Sequence, residues 1–373
     1  VKSSIRWTLV FVLLGWSVLP VCAAFTSFHV FGDSLSTTAG SPAPAPTQYF
    51  YGKRYSNGRV WVEVLAQMEG LPFDPTNGNP HSYFGNTSTN LLAQINAYTP
   101  PSDASNALVV IWVNNADLFF PATATTPSLA DFANAINFAL TNQFKAITNL
   151  YGKGIRTLVM PNVVDISTIP QFNNDTTDKN LFHQAATNYN AAFYDMLSVA
   201  RTNCPGLNIV VPDFFNLLAD LLAHPASYGV TNTLYDQGNG PLSIDAVTYF
   251  AGILNQSLTL NGKGTNFVFW DPTDPTAKVH YIMAGVAQQM IAPVRIAKLT
   301  PFSGSNRLDL VNVPLYTNVP LNGLVLSRTN LILGNWTTNL AFSTTNLAQS
   351  VWVTNNGPRA FYRLKFPYAW AWP

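Results

Sequence analysis

Four short apolar runs constrain this chain more than any other feature. They fall at residues 27–31, 107–113, 156–160 and 207–211, and turn residues or a helical stretch follow each one. Ala107-Leu108-Val109-Val110-Ile111-Trp112-Val113 shows no polar alternation, so a strand built from it must be covered on both faces. Helical apolar spacing over residues 60–68, 129–150, 178–200 and 275–291 supplies the cover. Strand and helix alternate along most of the chain. This predicts an α/β fold, a three-layer parallel sheet flanked by helices. A further short apolar segment, Phe267-Val268-Phe269-Trp270, precedes the last helix.

The pattern changes near residue 300. Asn and Thr become frequent, and short strands are predicted at residues 323–328, 350–354 and 360–364. We therefore expect a main domain over 25–299 and a small β-rich C-terminal module over 300–373. At the other end, Lys2 and Arg6 precede an apolar stretch from residue 7 to 19 that closes on Cys22-Ala23-Ala24. A basic start, a short apolar segment and small residues describe a signal peptide over 1–24, and so a secreted or extracytoplasmic protein. The stretch is shorter than the ~20 residues a membrane-spanning helix needs, and no later segment is long enough either.

Composition narrows the function classes. The chain has 373 residues, of which only 10% are charged, and the formal net charge is +1. Removing Lys2 and Arg6 with the leader would change that to −1. There is no basic run for nucleic acid to bind. Apolar residues make up 47% of the chain, which excludes a disordered protein. Without Cys22, Cys204 stands alone, so no internal disulfide is expected and Cys204 reads as a structural thiol. No His or Cys has metal-ligand spacing to a second one, so neither a metal nor a cofactor is expected.

Phe31-Gly32-Asp33-Ser34-Leu35-Ser36 lies at the carboxyl end of the first strand, where open α/β sheets place their sites. By itself Ser34 reads equally as an exposed nucleophile or as a helix cap. The wider pattern resembles the GDSL (SGNH-hydrolase) family of esterases and lipases. It runs through Tyr55-Ser56-Asn57-Gly58-Arg59-Val60-Trp61-Val62 and Tyr83-Phe84-Gly85-Asn86-Thr87-Ser88. It returns at Pro225-Ala226-Ser227-Tyr228-Gly229-Val230-Thr231-Asn232 and at Phe269-Trp270-Asp271, covering roughly residues 26–295. The resemblance implies an SGNH-hydrolase-like fold and a Ser34 nucleophile. It also implies an oxyanion site using Gly85 and an asparagine, and a substrate that is a small-molecule or polysaccharide ester.

Two blocks depart from the family pattern. After Trp112 the family usually reads Gly-x-Asn-Asp, whereas this chain has Asn114-Asn115-Ala116-Asp117. A one-residue shift makes Asn115 the amide donor; otherwise Asn114 and Asn115 only form a polar turn. The family's Asp-x-x-His appears here as Asp271-Pro272-Thr273-Asp274. The orienting Asp271 is present, but Asp274 stands where the resemblance expects the histidine base. Asp274 also suits a helix N-cap with Pro275 at the first helical position. His280 is the nearest substitute, although ~9 Å along the helix and ~240° around it separate the two positions. Of the other histidines, His29 reads as a core or strand-face residue, His183 as structural and His224 as helix-terminal, while His81 remains open as a loop residue. The favoured expectation is a serine ester hydrolase using Ser34, Gly85, Asn115 and Asp271, with Asp274 or His280 as base. The alternative is a catalytically silent relative that binds a lipid or glycan. A third possibility gives the tail aromatics Trp336, Trp352, Tyr362, Tyr368, Trp370 and Trp372 a carbohydrate-contact role.

Overall fold

The computed structural model describes residues 25–76, 81–173, 178–230, 234–236, 241–292, 294–311, 321–331, 334–344, 349–355 and 359–365. The leader read over 1–24, and Tyr368, Trp370 and Trp372, lie outside the described residues. The predicted runs become β1 (Ser27–Gly32), β2 (Ala107–Trp112), β3 (Thr157–Val159) and β4 (Asn208–Val210). They form one parallel sheet in the order β1-β2-β3-β4, with Val30 opposite Val110 and Val110 opposite Val159. Every residue of β2 is buried, as its unbroken apolar run requires.

Helices cover the sheet: α1 (Trp61–Met68), α2 (Ser88–Ala97), α3 (Asn114–Ala122), α4 (Leu129–Gly152), α5 (Pro170–Asn173), α6 (Lys179–Asn203), α7 (Phe214–Ala223) and α8 (Ala277–Ile291). α1 packs on α8, while α2, α4 and α6 pack in a row. Between α7 and α8 lie a two-stranded antiparallel pair, β5 (Leu234–Asp236) with β6 (Pro241–Ser243), and a π-helical segment at Val247–Ile253. The architecture is the expected α/β one, followed by an antiparallel β module.

That module holds β7 (Arg295–Phe302), β8 (Ser305–Val311), β9 (Leu321–Arg328), β10 (Thr337–Thr344), β11 (Gln349–Thr354) and β12 (Phe361–Lys365). They form two three-stranded sheets, ordered β11-β8-β7 and β10-β9-β12. The strands expected at 323–328, 350–354 and 360–364 correspond to β9, β11 and β12. Leu308, Leu310, Val325, Val351 and Val353 belong to the same contiguous apolar core as the parallel sheet. The module is therefore joined to the main fold by buried contacts as well as by the chain.

The turn after β1 is held tightly. Asp33 N–H donates to the Trp112 carbonyl at 3.1 Å, and Gly32 N–H to the His81 carbonyl at 3.2 Å. A Cβ on Gly32 would lie 2.5 Å from Ser36 Cβ, so the turn closes only around glycine. From α1, Trp61 Nε1 donates to Ser36 Oγ at 3.1 Å and clamps the turn from below. A buried bidentate pair fixes α1 in turn. Arg54 Nε reaches Glu63 Oε2 at 2.7 Å and Arg54 Nη2 reaches Glu63 Oε1 at 2.6 Å. Glu63 Oε2 also accepts the Val60 N–H at the start of the helix. Glu63→Ala strands the Arg54 charge beside the helix start, so we expect a loss of about 3–5 kcal/mol in urea unfolding. A change below about 1 kcal/mol would show that the pair is not structural.

Candidate active site

Ser34 opens a short 3-10 turn, Ser34–Ser36, at the carboxyl end of β1. It lines a pocket with Gly85, Asn115, Thr273, Phe84 and Phe120. Asp33, the residue before it, is only 2% exposed and caps the turn, with Leu35 N–H donating to its Oδ1 at 3.1 Å. Asn115 sits in the first turn of α3, and its Nδ2 donates to Asp33 Oδ2 at 3.1 Å. Asn114 faces elsewhere, donating to the Pro161 carbonyl at 3.1 Å. The two adjacent asparagines are thus divided: Asn115 borders the pocket, and Asn114 ties α3 to the loop after β3. Gly85 adopts φ +76°, a conformation that favours glycine and that carries its peptide past the pocket. Among the described residues, neither the Ser34 nor the Gly85 N–H has a backbone partner. Two main-chain donors and one side-chain amide therefore border the serine.

The other side of the pocket is a tight turn of carboxyls. Asp271 Oδ1 accepts Thr273 N–H at 2.9 Å and Asp274 N–H at 2.8 Å. The Thr273 hydroxyl lies between the two acids, 3.1 Å from Asp271 Oδ1 and 2.7 Å from Asp274 Oδ2. Trp270 N–H closes the turn on the Asp274 carbonyl at 2.8 Å. α8 starts at Ala277 with Thr276 as its N-cap residue. This corrects the expected cap: Asp274 does not cap the helix, and Pro275 is not its first residue. The turn satisfies the Asp274 backbone and holds its carboxyl buried behind Thr273, the residue of this turn that lines the pocket. Ser34 lies within polar reach of that carboxyl, yet Asp274 Oδ1 is buried without a well-aligned donor. Such loose contacts are common at reactive pairs before substrate arrives.

Electrostatics follow from burial. No ion pair among the described residues reaches Asp33, Asp271 or Asp274. Desolvation pushes Asp33 up to about 7, against the lowering effect of Asn115 and Leu35. It pushes Asp274 up to about 7 as well, although Thr273 and Ser34 favour its charged form. Asp271 is held well above the ordinary carboxylate range, first by burial and then by the neighbouring Asp274. Two adjacent acids cannot both ionise easily, so the pair holds a proton more tightly than an isolated carboxyl does.

The structure does not bring His280 to this group. It is fully buried in α8, neither ring nitrogen has a hydrogen-bond partner, and desolvation lowers its pKa to about 3. Its place is in the packing of the helix, which corrects its candidacy as base. His81 stacks on Phe31 with ring centroids 4.9 Å apart, on the far side of β1 from β2. His29 reaches Ser27 Oγ at 3.2 Å and packs edge-on against Tyr98. His224 ends α7 and pairs with Asp220. His183 is more exposed than a structural histidine need be; its Nδ1 lies 2.6 Å from Asp165 Oδ2. None of these lines the Ser34 pocket. Among the described residues no cluster of His, Cys, Asp and Glu is arranged to hold a metal ion.

The sequence profile of the GDSL-like lipase/acylhydrolase family matches residues 29–285. The chain belongs to that family. This GDSL-like chain has distant relatives among plant proteins. It is 25% identical over 322 residues to GDSL esterase/lipase 7 of Arabidopsis thaliana, covering 69% of this chain and 86% of the relative. It is 24% identical over 288 residues to acetylajmalan esterase 2 of Rauvolfia serpentina, covering 60% and 79%. Among solved structures, the lipase Lip_vut3 from a goat rumen metagenome aligns with a TM-score of 0.41 at 13% identity, over 71% of this chain and 97% of that one.

Two residues of this GDSL-like site escaped the sequence reading. Asp33 stands in the motif, and Thr273 between Asp271 and Asp274, each without a role that the sequence assigns. The signal for Asp33 was an aspartate placed directly after a buried strand, where it must be either capped or neutralised. The raised carboxyls also set a pH dependence. Between pH about 4 and about 7 the folded GDSL-like chain holds protons that the unfolded chain, with carboxyls near 3.8, has released. Stability therefore falls as pH rises through that window. Urea midpoints should be higher at pH ~5 than at pH ~7.5, and Asp274→Asn should flatten the difference. A midpoint that rises with pH in both proteins would contradict the burial assignment.

Proposed function

We propose that the chain is a secreted serine ester hydrolase in which Ser34 is the nucleophile and Asp274 the general base. The observation carrying this reading is the nearness of Ser34 to the buried Asp274 carboxyl, beside a pocket that Ser34 lines with Gly85 and Asn115. The family's ester hydrolase activity supports the reaction class. By that resemblance Asp274 occupies the place of the usual histidine. The basic, apolar and small-residue segments of residues 1–24 support export.

A serine hydroxyl is a weak nucleophile without a base. A carboxylate near its ordinary pKa is a poor base at neutral pH, whereas one raised to about 7 is matched to it. In the proposed reaction Asp274 takes the Ser34 proton as Oγ attacks the ester carbonyl. The Ser34 and Gly85 N–H groups, with Asn115 Nδ2, hold the resulting oxyanion, where each such donor can be worth ~10²–10³ in rate. The proton then passes to the leaving alcohol, and an acyl-serine remains. Water, deprotonated by the same carboxylate, releases the acid and restores Ser34. Asp271, buried and held above the ordinary carboxylate range, anchors the turn that carries Asp274.

Hydrolysis of nitrophenyl acetate and nitrophenyl octanoate by the chain of residues 25–373 tests this. Ser34→Ala should abolish turnover, and Asp274→Asn should lower kcat by ~10²–10⁴. The wild-type rate should rise with pH through about 7, as Asp274 loses its proton. Wild-type and Ser34→Ala rates that coincide would overturn the reading. Activity appearing only in Asp274→His would overturn the carboxylate base.

A further inference from the structure

The second half of the C-terminal module carries charge of one sign. Residues 312–373 contain Arg328, Arg359, Arg363 and Lys365 and no Asp or Glu. Across residues 295–311 the one acid is Asp309, on β8 of the other sheet. It is already committed there, to Arg307 at 3.1 Å and to the Ser350 hydroxyl at 2.6 Å. In the β10-β9-β12 sheet Arg328 stands opposite Phe361, Arg363 opposite Leu326 and Lys365 opposite Leu324. Opposed residues share a face, as do alternate residues along a strand, so Arg328, Arg363 and Lys365 lie on one face. Val325 and Ser327, which alternate with these positions on β9, are buried, and Val325 is part of the core. The cationic face is therefore the outer one. Arg363 and Lys365 are exposed on it, and Arg359 is exposed just ahead of β12.

Trp336, the residue before β10, holds two of these cations. The guanidinium carbon of Arg328 lies 4.8 Å from the centre of its ring and that of Arg363 lies 4.5 Å away. Each contact is favourable alone, but sharing one indole sets two like charges close together. Among the described residues no carboxylate pairs with any of the four cations. The Nε of Arg328 is also buried without an acceptor. Gathered like charges repel, and a buried N–H left unpaired costs free energy. An anion that accepts from both guanidiniums relieves both penalties at once.

We infer that this outer face binds an acidic polysaccharide, with one carboxylate taken by Arg328 and Arg363 and the chain continuing toward Lys365. Charge complementarity selects the class. A guanidinium fork matches a carboxylate with two parallel hydrogen bonds, and Trp336 pre-orients two such forks. Arg363 and Lys365 follow at the ~7 Å repeat of alternate strand residues, a row suited to a polymer that carries repeated charges. Leu324, Leu326 and Phe361, the apolar residues of the same face, are buried or half-buried, so nothing on it enters a lipid bilayer. Four cations on a chain of net charge +1 are also too few for strong binding to duplex phosphates. The face belongs to the module, and its binding does not depend on chemistry at Ser34.

Biolayer interferometry of the chain of residues 25–373, on tips carrying polygalacturonate or neutral dextran, tests the inference. The wild type should bind polygalacturonate and not dextran, and raising NaCl from about 0.05 to about 0.5 M should release it. Arg363→Gln, at an exposed position, should weaken binding about tenfold. Arg363→Lys, which keeps the charge without the fork, should weaken it by less. Lys145→Gln removes the same charge from an exposed position on α4 and should leave the affinity within about twofold. Urea midpoints check that each variant is folded; if Arg363→Gln is not, Lys365→Gln, at another exposed position of the row, is read in its place. No binding by the wild type, equal binding to dextran, or binding unmoved by these face substitutions overturns the inference. An equal loss in Lys145→Gln reduces the effect to net charge and overturns it too. Tighter binding to phosphatidylglycerol vesicles or to duplex DNA than to polygalacturonate overturns the choice of partner.

Discussion

Burying carboxyls without a cation is the constraint around which the carboxyl end of the sheet is built. Asp33, Asp271 and Asp274 are all withdrawn from water, and among the described residues no Lys or Arg pairs with them. An isolated buried carboxylate is too costly to keep charged, so the fold keeps its acids neutral until the pH reaches about 7. Hydrogen bonds divide their roles. Asp33 is held by Leu35 and Asn115, Asp271 is spent on the turn, and Asp274 is left with an oxygen that no aligned donor satisfies. That oxygen belongs to the carboxyl that Ser34 approaches.

The surrounding fold holds this arrangement through main-chain contacts as much as through side chains. The turn after β1 hangs on the last carbonyl of β2, and its closeness to Ser36 excludes any side chain at Gly32. The clamp from Trp61 makes α1 part of the support, and Glu63 and Arg54 make α1 rigid. On the far side, Thr276 N–H reaches the Val268 carbonyl, which anchors the acidic turn to the segment before it. Serine and carboxyl are therefore carried on separate pieces of backbone, each fixed independently.

Much of this was legible in the residues, and the reasons differ by element. β2 could be read because a strand buried on both faces needs an unbroken apolar run. The long helices α4 and α6 could be read from their period. β8 could not, because its alternation of Asn306, Leu308 and Leu310 with polar residues is short and lies in an Asn-rich segment. The family resemblance led to Ser34, Gly85 and Asp271, which the structure gathers around one pocket and the turn beside it. Spacing could not decide whether Asn115 supplies an amide or only forms a polar turn with Asn114, since the start of α3 settles that Asn115 borders the pocket. Nor could spacing separate Asp274 as a cap from Asp274 as a buried carboxyl near Ser34. Pro275 made a helix start at that point plausible, but the turn closed by Trp270 delays the helix to Ala277. His280 was only a sequence neighbour, and three-dimensional packing removes it from the site.

That no described cation pairs with these acids has one more consequence, for what happens after the reaction rather than during it. On the proposed chemistry each turnover of an ester produces a carboxylic acid beside Asp33 and Asp274. Once ionised, that product adds a negative charge to a cluster that already resists carrying one. A site with a nearby arginine would retain its acid product. This one repels it, so the electrostatics that tune the base also clear the pocket for the next ester.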